Sequence, residues 1–277
     1  MSFPDSIVLS YEQAFSTSAT KQLPLGTRGT LPDGRVFRYS KNGATELKPG
    51  NPCIGVDPTF CSMLNTSANG QIPAGTTYYT TQADGVLPIG GSWGGTTGGF
   101  SADDFADGWL LVGSTVGSGT NNIQQLRIKT HTAYAGGTSL IGDSYCQVTL
   151  EDGEHPKWNI TTSAGVAMVK NPYNGVIIAT TIAALANGFL GVPPVAVAAS
   201  YYFWLQTWGD CACRVMGAAS SALALGSRMI QTITAASTGL TIYNSSNNAG
   251  RGQESIGILR SLASSGSYAI VDLRISP

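Results

Sequence analysis

Two-residue alternation of apolar and polar positions is the commonest pattern along this chain. Arg35-Val36-Phe37-Arg38-Tyr39 predicts a strand with Val36 facing one side and Arg35, Phe37 and Tyr39 the other. Reversals bound it: Leu31-Pro32-Asp33-Gly34, where Pro32 presets φ and Gly34 accepts positive φ, and Lys41-Asn42-Gly43. Strands are predicted again at 108–112 and at 123–131, where Leu126 and Ile128 alternate with Arg127 and Lys129. Cys146–Leu150 and Trp158–Thr162 flank Glu151-Asp152-Gly153, a predicted hairpin turn, and Val176–Ile182 follows Asn174-Gly175, the strongest two-residue turn pair in the chain. Residues 195–208 form the most apolar stretch, and Tyr201, Tyr202, Phe203, Trp204 and Trp208 make it a candidate central strand. At the end, a hairpin turns at Ser264-Ser265-Gly266; Ala269, Val271, Leu273 and Ile275 line one face, opposite Tyr268, Asp272 and Arg274.

The segments between these strands carry less period. Residues 1–25 read as an N-terminal arm that orders on another body, and Cys53–Tyr79 is rich in turn residues. Seven glycines fall between Gly85 and Gly99, which predicts a long surface loop. Ala and Leu between Cys211 and Thr234 would permit a helix, but Gly217, Gly226 and the Ser/Thr density favour short strands. No helical stripe is sustained anywhere. The expected class is all-β: barrel or sandwich modules with an extended N-terminal arm, a long Gly-rich loop and little helix. The expected division is an arm at 1–25, a meander and Gly-rich loop at 26–100, a barrel-like domain at 101–200 and closing strands at 201–277, the last grouping with 26–50.

Composition adds a constraint on surfaces. Charged residues make up 11% of the chain, against about 25% in an ordinary soluble domain. Broad Ser, Thr, Asn and Gly surfaces suit a protein that covers its faces with copies of itself or with a partner. The 15 basic and 16 acidic residues argue against nucleic acid as the main ligand. Lys21–Gly50 is the exception, with six cations (Lys21, Arg28, Arg35, Arg38, Lys41, Lys48) against Asp33 and Glu46; this stretch is +4, so the rest of a chain of net charge −1 sums to −5. Five cysteines without repeated spacing do not form a disulfide framework, which points to synthesis in a reducing cytoplasm. The N-terminus lacks signal-peptide character, and Asn187-Gly188, Pro193-Pro194 and Gly209-Asp210 interrupt the apolar stretches before any could span a bilayer.

The search for chemistry yields isolated signals. Gly90-Gly91-Ser92-Trp93-Gly94 matches a nucleophile elbow, with His155 and Asp103 or Asp143 as partners, but the glycines that follow would not start the required helix. Cys211 and Cys213 share a strand face, where buried apolar packing is favoured over a metal that would need four ligands. Asp103, Asp104, Asp107 and Gly108 resemble part of a calcium loop, although Phe105 stands where an oxygen ligand belongs. His131 and His155 are lone histidines. The aromatic strand at 201–208 favours a core role over a sugar-stacking one.

Three patches carry a resemblance: Leu25-Gly26-Thr27-Arg28-Gly29-Thr30 with Asp33–Tyr39; Asn171-Pro172-Tyr173 with Gly191-Val192-Pro193-Pro194 and Tyr201–Gly209; and Ser255–Arg260 with Asp272–Ile275. Together they resemble virion structural proteins of tailed bacteriophages, in particular capsid decoration, or cement, proteins. The resemblance implies a homotrimer on the outer capsid surface, made in the host bacterial cytoplasm, with the major capsid protein as partner. It implies no catalytic residue, cofactor, metal, nucleic acid or membrane. Arg28, Arg35, Arg38, Lys41 and Lys48 are the expected partner-binding residues, orienting the protein on an acidic capsid face. The alternatives are a tail or fibre component binding host glycans through Trp204 and Trp208, and the capsid shell subunit, for which the usual long spine helix is missing.

Overall fold

The computed structural model describes residues 6–55, 86–90, 100–113, 123–134, 145–157, 165–178, 188–216, 224–234, 237–242 and 255–276. In chain order the elements are β1 (Ser6–Val8), α1 (Tyr11–Ala14), β2 (Thr17–Ser18), β3 (Arg28–Thr30), β4 (Val36–Asn42), β5 (Cys53–Ile54), β6 (Val86–Gly90), β7 (Trp109–Gly113) and β8 (Ile123–His131). They continue with β9 (Tyr145–Leu150), β10 (Gly165–Val169), β11 (Asn174–Ile178), β12 (Phe189–Gly191), β13 (Tyr202–Arg214), β14 (Arg228–Thr234), β15 (Ser237–Ile242), β16 (Gly257–Leu259) and β17 (Tyr268–Arg274). The class is all-β. The chain divides into two compact units, Phe3–Asp57 with Pro172–Pro277, and Pro58–Asn171.

The first unit is one sheet, ordered β12-β5-β11-β4-β13-β17-β16-β14-β15, that closes on itself twice. β13 is the shared wall. Its first half pairs antiparallel with β4, and the Val192–Gln206 bridge joins β12 to it, completing a ring through β12, β5, β11 and β4. Its second half pairs with β17; β16, β14 and β15 follow, and the Val215–Leu240 bridge closes that ring. Closing both rings leaves fewer strand edges open to stray pairing.

Each ring has its own core. Leu47, Cys53, Val176, Val197, Phe203 and Leu205 fill the first. Cys211, Cys213, Val215, Met229, Leu240, Leu259, Val271 and Leu273 fill the second. A third cluster, Leu9, Ala14, Leu25, Leu31, Phe37, Tyr39 and Trp204, lies on the opposite face of β4 and β13.

That third cluster changes the reading of the N-terminal arm. Residues 6–25 order on the chain's own sheet: β1 runs parallel to β3, β2 pairs with β13, and Leu9, Ala14 and Leu25 are buried. Ser10 caps α1, its hydroxyl accepting from Gln13 N–H while the Gln13 side chain accepts from Ser10 N–H. β4 is therefore sandwiched, with Val36, Phe37, Tyr39 and Ser40 all buried. Gly29 makes the covering possible, since a Cβ there would come within 2.8 Å of Leu9 Cγ and 2.9 Å of Trp204 Cζ3.

Asn174-Gly175 does not close a hairpin. It lies inside β11 with Gly175 at φ 84°, where the parallel pairing with β4 shifts register between Asn174 and Val176. The 211–234 segment contains strand structure, as the end of β13 and all of β14, and the terminal hairpin is β16–β17 with Ala269, Val271 and Leu273 facing inward.

The second unit is an antiparallel sheet ordered β10-β7-β8-β9-β6. Leu110, Val112, Leu126, Ile128, Cys146, Val148, Leu150 and Met168 form its core, with Phe105 and Tyr134. Pro88 stands in β6, an edge strand, where a missing N–H is tolerated. The partner strand expected at 158–162 lies outside the described residues, as does the Gly-rich run at 91–99.

Candidate functional site

The expected cations sit on one strand pair and its flanking loop, but they do not point one way. Strand parity sets Arg35 and Lys41 on the face of β4 that carries Phe37 and Tyr39, and Arg38 on the other. Six residues of strand separate Arg35 from Lys41, about 20 Å.

Arg35 is held in a clasp. Its Nε lies 2.8 Å from Asp33 Oδ2, and its guanidinium carbon is 5.7 Å from the ring centroids of both Tyr11 and Phe15. Tyr11 Oη lies 3.2 Å from Asp33 Oδ2. Slight burial opposes ionisation of Asp33, but hydrogen bonds from the Arg35 backbone and side chain hold its pKa below the ordinary value. At the other end, Lys41 Nζ sits 5.7 Å from the Tyr202 ring, which stacks on Tyr39 at 5.9 Å. Lys48 is exposed on the loop after β4.

Arg28 and Arg38 stand directly opposite each other on β3 and β4. Arg28 Nη1 reaches Ser6 Oγ (3.3 Å) and Thr30 Oγ1 (3.2 Å), while Arg38 donates to Gly26 O (3.3 Å) and Ser276 Oγ (2.9 Å). Arg38 is thus also a latch for the C-terminal segment, whose Ser276 O accepts from Thr207 Oγ1 at 2.8 Å. Among the described residues neither arginine meets a carboxylate.

The other sequence signals resolve into structure. His131 is buried; its Nδ1 lies 2.8 Å from Thr132 O, and its Nε2 accepts from Phe105 N–H at 2.9 Å. Both ring nitrogens are therefore occupied by the neutral form. Burial pushes its pKa down, against the backbone bond to Thr132 and the Asp103 and Asp104 carboxylates. Asp103 Oδ1 accepts from His131 N–H and Asp104 Oδ2 from Ser101 N–H, so this acidic turn is tied to backbone. Among the described residues no three His, Cys, Asp or Glu side chains group as metal ligands. His155 is exposed on the turn after β9.

Cys53, Cys146, Cys211 and Cys213 are free thiols, all buried. Burial raises the pKa of Cys53 and lifts that of Cys146 to about 11, and contact with Cys211 together with burial raises that of Cys213. Phe203 and Trp204 are buried, Trp208 is half-buried and Tyr201 is exposed, so the aromatic strand is chiefly core. The Gly90–Gly94 pattern runs into residues outside those described.

Two buried amides escaped the sequence reading. Asn42 Nδ2 faces Thr45 O (2.9 Å), Val197 O (3.0 Å) and Ala198 O (2.8 Å), and Gln206 Nε2 faces Trp208 O, Gly209 O and Asp210 O at 3.2, 3.4 and 3.0 Å. A polar residue in an apolar run was the available signal for Gln206. No helix among the described residues is long and apolar enough to cross a membrane. No family model, curated protein or solved structure matches the chain.

Proposed function

We propose that the chain is a virion structural protein that binds and stabilises an assembled phage capsid, acting as a decoration or cement protein. One observation carries this reading: a doubly closed, sparsely charged β body holds its concentrated cations on a single strand pair and loop, with Arg28 and Arg38 facing no carboxylate among the described residues. Such a body offers rigidity and a signed surface, which is what docking on an acidic shell requires. The resemblance of the patches at 25–30 and 33–39, 171–173, 191–194 and 201–209, and 255–260 and 272–275 to decoration proteins points the same way. The glycan-binding alternative would use Trp204, which lies in a core cluster, and Trp208, which is half-buried.

The test is co-sedimentation with expanded capsids that lack the protein. The triple variant Arg28→Glu, Lys41→Glu, Lys48→Glu should lose occupancy while keeping its circular dichroism and without a lower melting temperature. Arg35 is left in place because its reversal would set a second carboxylate beside Asp33 and empty the Tyr11–Phe15 clasp. Arg38 is spared because its reversal would also release the Ser276 latch. Undiminished occupancy of the folded variant would overturn the proposal.

A further inference from the structure

Eight large apolar side chains are exposed among the described residues, and four of them fall on the second ring: Leu225 (62%), Leu262 (60%), Tyr268 (54%) and Ile270 (38%). Backbone bonds bring them to one region. Arg260 and Ser261 N–H both donate to Ile270 O, which sets Leu262 beside the Tyr268–Ile270 end of β17. Gly226 N–H donates to Leu259 O, which brings Leu225 alongside. On the other flank, Ala212 and Arg214 of β13 pair with Ile270 and Tyr268, and Ala212 is exposed.

Tyr268 and Ile270 alternate with buried Ala269, Val271 and Leu273, so they stand on the outer wall of a closed ring. The inner wall already has its core. The Tyr268 ring lies against Gly50 of the loop after β4 yet stays more than half exposed, as do Leu225 and Leu262, with Ile270 beside them; a contiguous exposed apolar patch marks an interaction surface.

We infer that this outer face of β13, β17 and the 259–262 segment is where copies of the chain meet. Its charges identify the occupant. Asp210 and Asp272 share the face with Arg214, Arg260 and Arg274; Arg260 Nη2 and Arg274 Nη2 each lie 3.0 Å from Asp272 Oδ2. Arg260 Nε also lies 4.0 Å from Asp210 Oδ1, so the carboxylates of this face are already balanced within the chain and it presents little net charge to repel its own copy. The cation-rich β3–β4 pair would repel its own copy and suits an acidic partner instead. A chain with 11% charged residues also has unusually little repulsion to overcome on self-association. The inference deepens the self-associating part of the functional reading and rests on no contact with a capsid.

The experiment is light scattering on the purified full chain across a concentration series, for the native sequence, Ile270→Glu and Leu262→Asp. The native chain should show a multiple of 28.7 kDa, and both variants should fall to a single chain with unchanged circular dichroism. Leu262 lies on a turn-proximal segment, so its substitution tests the face even if Ile270→Glu fails to fold. A native chain of single mass at all concentrations, or an oligomer that survives Leu262→Asp, would overturn the inference. Capsid sedimentation of the same variants keeps the two proposals apart. Single-chain variants that still bind, roughly 10²-fold more weakly through lost avidity, support this face as the self-contact. A native multimer that ignores capsids removes the cement reading alone.

Discussion

Gln206 is the sharpest test of how the two rings share a strand. It is almost fully buried where the pairing of β13 with β4 shifts register between Gln206 and Trp208, and Gly209 takes φ 83° just beyond. Its backbone bridges to Val192 in both directions at 2.9 Å, closing the first ring, while its amide faces three carbonyls of the bulge. An NH₂ group has two protons, so two bonds are satisfied at a time. Gln206→Leu conserves shape and removes both; with about 1–3 kcal/mol for each acceptor left without a donor, the loss should be about 2–6 kcal/mol. For a urea m-value near 3 kcal/mol/M, the midpoint should fall by about 0.7–2 M. Trp204 and Trp208 fluorescence would report it in a background with Trp93, Trp109 and Trp158 replaced by Phe. Gln206→Glu should be worse at neutral pH, because a carboxylate would face carbonyls and its folded pKa would rise. A raised folded pKa means the deficit shrinks as pH falls through that value towards the unfolded one, about 4.3. A Leu variant within about 0.5 kcal/mol of the native chain, or a Glu variant with no recovery in acid, would refute the assignment.

His131 is buried in its neutral form with Asp103, Asp104, Lys170 and Cys146 around it, and its folded pKa lies below 6.5. Its contribution to stability should be complete above that value and decline as pH falls towards the lowered folded pKa, and His131→Gln should flatten thermal melts recorded between pH 7 and pH 5. In a Cys61→Ser background, the four buried thiols should react with a thiol-specific chromophore only after denaturation; fast labelling of the native protein would contradict their burial.

Much of the fold was legible because period two needs only local sequence. Residues 269–275 face one core and one exposed wall, so their alternation reads directly. The alternation of Arg35–Tyr39 also showed the strand β4 with its two faces, but not that both faces are covered: Val36, Phe37, Tyr39 and Ser40 are all buried, and which segments cover each side depends on residues far along the chain. The Asn-Gly pair in β11 carries the same left-handed glycine whether it ends a strand or bulges one, and only the parallel pairing with β4 distinguishes the two. The Ser10–Gln13 capping box was a local signal for α1, hidden by the brevity of the helix. The cations were visible as a composition shift. Their arrangement was not, since the Tyr11–Phe15 clasp on Arg35 and the opposition of Arg28 to Arg38 depend on how separate segments pack.

That opposition supplies a test linking stability to function. Tyr39 N–H donates to Thr27 O and Leu31 N–H to Arg35 O, so the 27–39 and 31–35 pairs are hydrogen-bonded and Arg28–Arg38 is a non-hydrogen-bonded pair. Side chains approach most closely at such pairs, with Cα atoms about 4.5 Å apart, and like charges there are destabilising. The two guanidiniums accordingly lean apart along the strands, Arg28 towards Thr30 and Arg38 towards Gly26. Arg28→Glu would turn repulsion into a cross-strand ion pair and give up two long hydroxyl contacts. It should stabilise the protein by about 0.5–1 kcal/mol, seen as a higher urea midpoint that returns to the native value at high salt. If the cation pair is kept for an acidic capsid surface, the more stable variant should bind capsids less well. A less stable variant would show that the hydroxyl contacts outweigh the repulsion. A more stable variant with full occupancy would show that the charge at position 28 serves no docking.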